Sequence, residues 1–208
     1  MNNGQNTNGG EFLPVMEQFY SIQGEGLNTG KAAFFLRIGG CDVGCSFCDV
    51  KESWNPDIFP PVHVDEIVKN IQYEKADAVV ITGGEPMLYN LDILCERLKN
   101  AGIEIFLETS GSEPYSGDFD WISLSPKAGT SVHECWYDKA DEIKVIIEKE
   151  ADFAYAESLS EKVHDNCTML LQPEWSVVQT ILPLIIVYIK QNPEWRLSLQ
   201  THKYINIP

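Results

Sequence analysis

The chain has 208 residues, of which 44% are hydrophobic and 22% are charged. This length and composition fit one globular domain that buries a core without disulfides, and they argue against a fibre or a disordered chain. The formal net charge of −16 argues against a general affinity for nucleic acid or anionic lipid.

The N-terminus is a polar leader without a basic region or an apolar stretch. It therefore differs from signal and transit peptides, and the cytoplasm is the expected compartment. We predict that residues 1–11 are a disordered leader and that residues 12–208 form a single domain. No membrane span is predicted, because the longest apolar run, Ile181–Ile189, contains Pro183 and is far shorter than the roughly 20 residues that a span needs.

Hydrophobic periodicity predicts alternating strands and helices along most of the chain. The segment Leu13–Tyr20 and the loop Ser21–Gly26 come first. Strands are predicted at Ala32–Gly39, Ala78–Thr82, Ile103–Glu108, Trp121–Leu124, Glu142–Ile147, Thr168–Gln172 and Arg196–Thr201, and helices at Val64–Tyr73, Leu91–Asn100, Ala151–Lys162 and Trp175–Gln191, the last kinked at Pro183. Such alternation in one domain implies an α/β fold with a parallel sheet and helices on its outer face. The chemistry of such sheets collects at the carboxyl ends of the strands, which here carry the polar segments 41–48, 83–86, 108–110, 125–127, 172–173 and 201–203.

The chain contains six cysteines, which in a reducing compartment are thiols or metal ligands and not a disulfide framework. Cys95, Cys135 and Cys167 each stand alone in apolar or mixed sequence. We predict that each of these three is a small residue of the hydrophobic core. The remaining three are clustered and need a different explanation.

Cys41, Cys45 and Cys48 lie in one turn-rich loop, close enough together to bind a single inorganic centre. Four ligands normally close a structural zinc site, whereas a 4Fe-4S cluster held by three cysteines leaves one iron open to another ligand. The zinc alternative requires a fourth ligand from His63, His133 or one of the isolated cysteines. Spacing alone leaves both alternatives open.

The pattern Cys-x3-Cys-x2-Cys, with the aromatic Phe47 before the last cysteine, resembles the signature of the radical S-adenosylmethionine enzymes. The resemblance implies that Cys41, Cys45 and Cys48 bind a 4Fe-4S cluster whose open iron binds S-adenosylmethionine. Electron transfer from the cluster then releases a 5′-deoxyadenosyl radical, so the cofactor supplies the difficult chemistry and the protein positions it.

The same resemblance implies further residues that bind S-adenosylmethionine. Gly83, Gly84 and Glu85 resemble the second motif, which meets the methionine amino group. Two glycines let the backbone approach a ligand and a carboxylate suits an ammonium group, although the segment alone also fits a plain turn at a strand end. Two other strand ends are implied to hold the ribose, the carboxylate and the adenine: Ser125, Pro126 and Lys127, and Gln172, Pro173, Glu174 and Trp175.

Three longer segments resemble the 7-carboxy-7-deazaguanine synthase family: residues 16–26, residues 33–37 with the cysteine loop, and residues 196–208. The similarity covers nearly the whole chain apart from the leader. It implies a shortened, partial parallel β/α barrel, a homodimer and a flavodoxin-type reductant. The implied reaction contracts 6-carboxy-5,6,7,8-tetrahydropterin to 7-carboxy-7-deazaguanine with loss of ammonia, on the route to queuosine and other deazapurines.

The pterin substrate presents an amidine-like donor edge and a carboxylate. The resemblance implies that Glu25 accepts from the donor edge, that Arg37 and His202 bind the carboxylate, and that the terminal carboxylate of Pro208 also reaches the pterin. Ile22, Gln23, Gly24 and Thr82 complete the implied substrate site. Taken singly, Glu25 also fits a solvated loop residue, Arg37 a surface ion pair and His202 a core histidine.

Position 50 departs from the family pattern, which has Thr or Ser two residues after the last cysteine. The hydroxyl at this position helps to bind a Mg²⁺ ion that also meets the substrate carboxylate, but Val50 offers no oxygen. Mg²⁺ prefers oxygen ligands and retains several waters, so water or Asp49 replaces the missing ligand, or the site is lost. We therefore expect weak or absent stimulation by Mg²⁺.

Two other functional classes stay open on the sequence alone. A glycyl-radical activase also uses a Cys-x3-Cys-x2-Cys loop on a small barrel but acts on a protein, and the pterin-type segments argue against it. A zinc-stabilised binding or regulatory protein would have no catalysis. Visible absorption separates that class from the others, because iron and sulfide give a brown protein and zinc does not.

Overall fold

The computed structural model describes residues 9–46, 48 and 50–208. Expectations for residues 1–8 of the leader, and those for Phe47 and Asp49, lie outside the described residues. The boundary between leader and domain at residue 12 stays a prediction.

The described residues form nine β-strands and five α-helices that alternate from β3 onwards along much of the chain. The strands are β1 (Phe12–Ile22), β2 (Ala32–Ile38), β3 (Pro61–His63), β4 (Ala78–Gly83), β5 (Glu104–Thr109), β6 (Trp121–Leu124), β7 (Glu142–Ile147), β8 (Thr168–Pro173) and β9 (Trp195–Leu197). The helices are α1 (Val64–Tyr73), α2 (Asp92–Asn100), α3 (Ala151–Ser160), α4 (Val178–Gln191) and α5 (Thr201–Ile205).

All described strands belong to one sheet with the order β3-β1-β2-β4-β5-β6-β7-β8-β9. β1 pairs antiparallel with β2 and β3, whereas each pair from β2 to β9 is parallel. β3 and β9 are the two edges, so the sheet is open. This architecture confirms the predicted shortened, partial parallel β/α barrel.

The parallel strands are apolar along most of their length, as is typical of strands covered on both faces. In β4, for example, Val79, Val80 and Ile81 are fully buried. α1 presents buried residues at positions 64, 67, 68 and 71, the spacing of a single helix face against the core. This packing leaves the carboxyl ends of the parallel strands together at one edge of the sheet.

The region after β8 differs from the prediction of a strand at Arg196–Thr201. β9 ends at Leu197, and α5 begins at Thr201. The backbone N–H and the hydroxyl of Thr201 both donate to the carbonyl oxygen of Gly24, at 2.8 and 2.9 Å. The segment around Thr201 is bound by the loop after β1 and does not continue β9.

Two further elements differ from the predicted ones. β3 was not predicted, because three residues are too few for a periodic pattern. The predicted helix at Trp175–Gln191 begins with a 3₁₀ turn at Trp175–Val177, which the Glu174 carboxylate caps by accepting from Ser176 N and Val177 N. Pro183 lies within α4, and its predicted kink stays a prediction.

The isolated cysteines occupy different environments. Cys95 and Cys167 are buried, which confirms them as core residues. The same prediction is wrong for Cys135, which is exposed. It lies in the 3₁₀ turn Glu134–Trp136, where the much larger Trp136 side chain takes the buried position. Among the described helices, none is long and apolar enough to cross a membrane.

Candidate active site

The carboxyl ends of the parallel strands surround a cavity of about 260 Å³, here called the cysteine cavity. This position is expected for the site of a parallel sheet. The predicted residues that line it are Cys41, Cys45, Cys48, Gly83, Gly84, Glu85, Ser125, Lys127, Gln172, Pro173, Glu174 and Trp175. Pro126 instead lines a neighbouring surface groove.

A second cavity of about 170 Å³ lies beside the first and is here called the arginine cavity. The predicted residues that line it are Ile22, Gln23, Gly24, Glu25, Arg37, Thr82, His202 and Pro208. Glu25, Val50, Thr82 and Gly83 line both cavities. The fold therefore brings the two predicted groups of residues into adjoining spaces that share walls.

The three thiols of the cysteine loop are partly exposed in the cysteine cavity. Burial raises the pKa of the Cys41 and Cys45 thiols, so metal binding there must release protons. Among the described residues, no three His, Cys, Asp or Glu side chains form a group that could hold one metal ion. Three thiols in one loop fit a 4Fe-4S cluster with one open iron, whereas a structural zinc site normally has four ligands.

Glu85 is buried beside the cysteine cavity, and its carboxylate accepts four hydrogen bonds. Thr109 Oγ1 and Met87 N donate to Oε1, at 2.6 and 3.1 Å. Ser110 donates to Oε2 from its backbone N at 2.8 Å and from Oγ at 2.5 Å. A carboxylate has about four acceptor sites, so these contacts engage the whole group. Glu85 thus ties the loop after β4 to the end of β5.

Gly83 and Gly84 allow the end of β4 to pack against the segment before the cysteine loop. Gly83 has a φ of +125°, and a Cβ at Gly84 would collide with the carbonyl oxygen of Gly40. Gly84 N donates to the Ile38 carbonyl at 2.9 Å. The sequence predicted glycines here so that a ligand could approach the backbone. In the structure, the glycines let the backbone of residues 38–40 approach, and this contact fixes the cysteine loop against β4.

Lys127 extends into the cysteine cavity from the loop after β6. Its Nζ donates to the carbonyl oxygen of Ser125 at 2.5 Å and to Ser125 Oγ at 2.6 Å. Burial lowers the pKa of Lys127 to about 8, against an opposing influence of Cys45. A cation held this close to Cys45 suits anionic ligands in the cavity.

Glu25 is the centre of a polar network between the two cavities. Lys144 Nζ and Gln172 Nε2 donate to its Oε2, the latter at 3.0 Å. Gln200 Nε2 donates to its Oε1 at 2.8 Å. Burial alone would raise the pKa of Glu25, but Lys144 and the two amides outweigh it and lower this pKa to about 2. Glu25 is therefore a partly buried, ionised carboxylate, with 16% of its side chain exposed, and not the solvated loop residue that its position alone also allowed.

Glu108 links the two predicted substrate residues that flank it. Gln23 Nε2 donates to Glu108 Oε1 at 2.9 Å, and Thr82 Oγ1 donates to Oε2 at 3.0 Å. The Gln23 side-chain oxygen in turn accepts from the backbone N of Glu25 at 3.1 Å. These contacts hold the loop after β1 over the ends of β4 and β5.

Arg37, His202 and Pro208 meet in the arginine cavity. Arg37 pairs with Glu17 at 3.3 Å and lies over the Phe19 ring. Arg37 is therefore both a member of an ion pair and a lining residue of the arginine cavity. Burial lowers the pKa of His202, with nearby Glu25 acting in the opposite direction. Pro208 is held by Ser21 Oγ, which donates to the terminal oxygen at 3.2 Å.

Val50 presents an apolar side chain to both cavities. Its carbonyl oxygen accepts from the backbone N of Ser53 at 3.0 Å and from Ser53 Oγ at 2.6 Å. Ser53 is fully buried and lines the cysteine cavity, but its hydroxyl hydrogen is directed to Val50. The described residues at this position therefore do not fit a Mg²⁺ site.

Sequence reasoning did not select Lys144 and Glu108 as site residues. Lys144 is 5% exposed within a strand of otherwise mostly apolar residues, which is an unusual place for a lysine and a usable signal. Glu108 stood in a polar segment at a strand end, but nothing in the sequence identified Gln23 and Thr82 as its partners. His63 and His133, the proposed alternative zinc ligands, do not line the cysteine cavity.

Comparison with known proteins supports this geometry. Residues 36–167 match the model of the radical SAM superfamily. The chain is 50% identical to a 7-carboxy-7-deazaguanine synthase of Flavobacterium psychrophilum, over 96% of this chain and 94% of that protein. It is 45% identical to the corresponding synthase of Synechocystis, over 93% of each chain. The crystal structure of QueE from Escherichia coli superimposes with a TM-score of 0.82 at 30% identity, over 97% of this chain and 99% of that one.

Proposed function

The chain belongs to the 7-carboxy-7-deazaguanine synthase family of the radical SAM superfamily, and we propose that it converts 6-carboxy-5,6,7,8-tetrahydropterin to 7-carboxy-7-deazaguanine, a carbon–nitrogen lyase reaction of queuosine and deazapurine biosynthesis. The observation that carries the proposal is the pair of adjoining cavities with shared walls. One cavity has the three cysteines and the other has groups suited to a carboxylate. Membership of this family argues against the activase and the zinc protein as alternatives.

The three cysteines and the cavity fit a 4Fe-4S cluster and S-adenosylmethionine, which the family implies. When bound, these two groups supply the 5′-deoxyadenosyl radical that takes a hydrogen atom from the substrate and later returns it. We propose that Lys127 and Ser125 orient the cofactor's polar groups, and that Gln172, Pro173, Glu174 and Trp175 form the opposite wall. Trp175 is fixed on its other side by Tyr204 of α5, with ring centroids 5.1 Å apart.

In the arginine cavity we propose that the substrate carboxylate binds to Arg37 and His202. The donor edge of the pterin then meets Glu25, which is an acceptor, in the part of the cavity that Pro208 also lines. Thr82 and Gly83, which line both cavities, would lie between the substrate and the cofactor. Closeness of this kind is what hydrogen transfer between two bound molecules requires.

The decisive experiment is an anaerobic incubation of the cluster-reconstituted protein with S-adenosylmethionine, dithionite and 6-carboxytetrahydropterin, followed by mass spectrometry. We expect both 7-carboxy-7-deazaguanine and 5′-deoxyadenosine when wild-type protein is used. Cys48→Ala should abolish both products, whereas Cys135→Ala, which changes an exposed cysteine outside both cavities, should leave them unchanged. Formation of 5′-deoxyadenosine without the deazaguanine would reject the proposed substrate.

We propose that Mg²⁺ stimulates turnover weakly or not at all, because the Val50 side chain lines both cavities and has no oxygen that could bind the ion. Val50→Thr should increase the ratio of turnover with Mg²⁺ to turnover with a chelator. Val43→Thr, which adds a hydroxyl elsewhere in the cysteine cavity, should not change this ratio. A strong Mg²⁺ requirement of the wild-type protein would contradict the proposal.

The family implies that the enzyme needs a reductant, and we propose a flavodoxin-type donor, a homodimer and a cytoplasmic location. The cytoplasm is supported by the need to keep three ligand thiols reduced. A dimer is supported by apolar side chains on the outer side of α4, where Ile186 and Val187 are 45% and 54% exposed. Native mass spectrometry under anaerobic conditions tests the dimer, and a single-chain mass at micromolar concentration would exclude it.

A further inference from the structure

Lys144 is a buried cation near the centre of the site. It lies on β7, between Ile143 and Val145, and only 5% of its surface is exposed. Its Nζ is bonded to the Glu25 carboxylate, which comes from a loop 119 residues earlier in the chain. Lysine is almost never buried to this degree unless it is paired, so this contact is what makes the position tolerable.

The Oε1 atom of Glu25 can accept one more hydrogen bond than it receives from the described residues. Oε2 accepts from Lys144 and Gln172, whereas Oε1 accepts only from Gln200 among the described residues. Since each carboxylate oxygen has about two acceptor sites, one site on Oε1 stays open. Glu25 also lines the arginine cavity, together with Arg37 and His202.

Lys144 lines the cysteine cavity but not the arginine cavity. Its contact with Glu25, which lines both cavities, connects it to a molecule bound in the arginine cavity. The two other carboxylates near Lys144 are engaged elsewhere, because Glu108 accepts from Gln23 and Thr82, and Glu142 accepts from the backbone N of Leu27.

We propose that Lys144 is a positioning residue for substrate binding, which keeps Glu25 ionised and rotated so that its open acceptor site faces the donor edge of the pterin. The inference rests on the proposed function and adds a residue to it. Without Lys144 the partly buried Glu25 carboxyl would have only two amides as partners, so it would protonate more readily. A protonated carboxyl would offer a donor where the substrate needs an acceptor.

The test compares Lys144→Met with wild-type protein in anaerobic calorimetric titrations of 6-carboxytetrahydropterin into the cluster-loaded, S-adenosylmethionine-bound enzyme. We expect the Kd of Lys144→Met to rise at least about tenfold, which corresponds to about 1.4 kcal/mol. Substrate-free formation of 5′-deoxyadenosine is measured alongside, because Lys144 also lines the cysteine cavity. A loss of that reaction as large as the loss of pterin affinity would assign Lys144 to the cofactor and overturn the proposal. Lys69→Met, an exposed lysine on α1, is the matched control and should bind the pterin as wild type does.

A double-mutant cycle separates positioning from a structural role. In the Glu25→Gln background no carboxylate remains to be held, so adding Lys144→Met should change the Kd by less than about twofold, within the usual additivity error. The double variant also removes both buried charges together, so it tests the proposal even if Lys144→Met does not fold. An equal loss of affinity in both backgrounds would overturn the proposal.

The pH dependence of binding is a second readout. Glu25 is faced by Lys144, with Lys127, His202 and Glu108 nearby. In Lys144→Met, the affinity for the pterin should recover as pH rises, because Glu25 ionises again. Wild type should show no such rise of affinity with pH. Lys144→Arg should restore the wild-type pH profile. If wild type binds and converts the pterin but Lys144→Met has the same affinity and profile, the inference fails alone. If wild type neither binds nor converts it, the proposed function fails first.

Discussion

Thr109 shows how a single hydroxyl orders the cofactor side of the site. Its hydroxyl donates to the Glu85 carboxylate at 2.6 Å, and this hydrogen bond is buried. Thr109→Val keeps the shape but leaves one carboxylate acceptor unpaired, so we expect a loss of about 1–3 kcal/mol in the free energy of unfolding. Denaturant titration measures this. Thr180→Val, at an exposed position of α4, is the control and should change it by less than about 0.5 kcal/mol.

His202 should make substrate affinity depend on pH. Burial lowers its pKa in the free protein, and a bound substrate carboxylate would raise it, so binding takes up a proton between these two values. The pterin should therefore bind less tightly as pH rises through this window, and His202→Asn should flatten that limb. Calorimetry in buffers of different ionisation enthalpy detects the proton uptake directly. Equal heats in all buffers would contradict the assignment.

Sequence motifs predicted several site residues that could not have been selected one at a time. Cys41, Glu85 and Arg37 were selected from motifs, and the structure places each in one of the two cavities. Lys144 and Glu108 were missed because their roles depend on partners more than 80 residues away, Glu25 and Gln23. No local pattern contains information about pairs of that separation.

At the scale of elements, the loop after β1 and helix α5 form one unit. Gly24 lies against His202, and any Cβ at position 24 would collide with that ring. Gly24→Ala should therefore displace α5 and raise the KM for the pterin at least about tenfold, with little change in substrate-free 5′-deoxyadenosine formation. Gly9→Ala is the control, because a Cβ there meets nothing within 4 Å. Steady-state kinetics with both variants test this, and an unchanged KM for Gly24→Ala would contradict it.

Elements were predicted well where a single face or a continuous apolar run decided them. α1 and β4 are examples, because helical spacing and a β-branched run are local properties. α5 and β3 were not, since five and three residues carry too little periodicity. Their conformations depend on distant contacts such as that between Thr201 and Gly24.

For the molecule as a whole, stability depends mainly on the larger of two hydrophobic clusters, in which strand residues pack against the helices. Trp136 is fully buried in it, and its indole N–H donates to the Glu113 carbonyl at 2.8 Å. Trp136→Ala should lower the free energy of unfolding by about 3–5 kcal/mol. In a chain of this size that corresponds to a fall in Tm of roughly 6–20 °C, readable by calorimetry. Tyr73→Ala, at a position 84% exposed, should leave Tm nearly unchanged.

The hydrogen bond between Gly24 and Thr201 joins residues 177 positions apart, so it can form only late in synthesis on the ribosome. At about 5–20 residues per second, the cysteine loop leaves the peptidyl-transferase centre roughly 8 to 30 seconds before Thr201 is added. During that interval the ligand thiols exist without the segment that completes the arginine cavity. A nascent chain therefore contains the three thiols well before it contains the residues that complete either cavity, because Gln200 lines both of them.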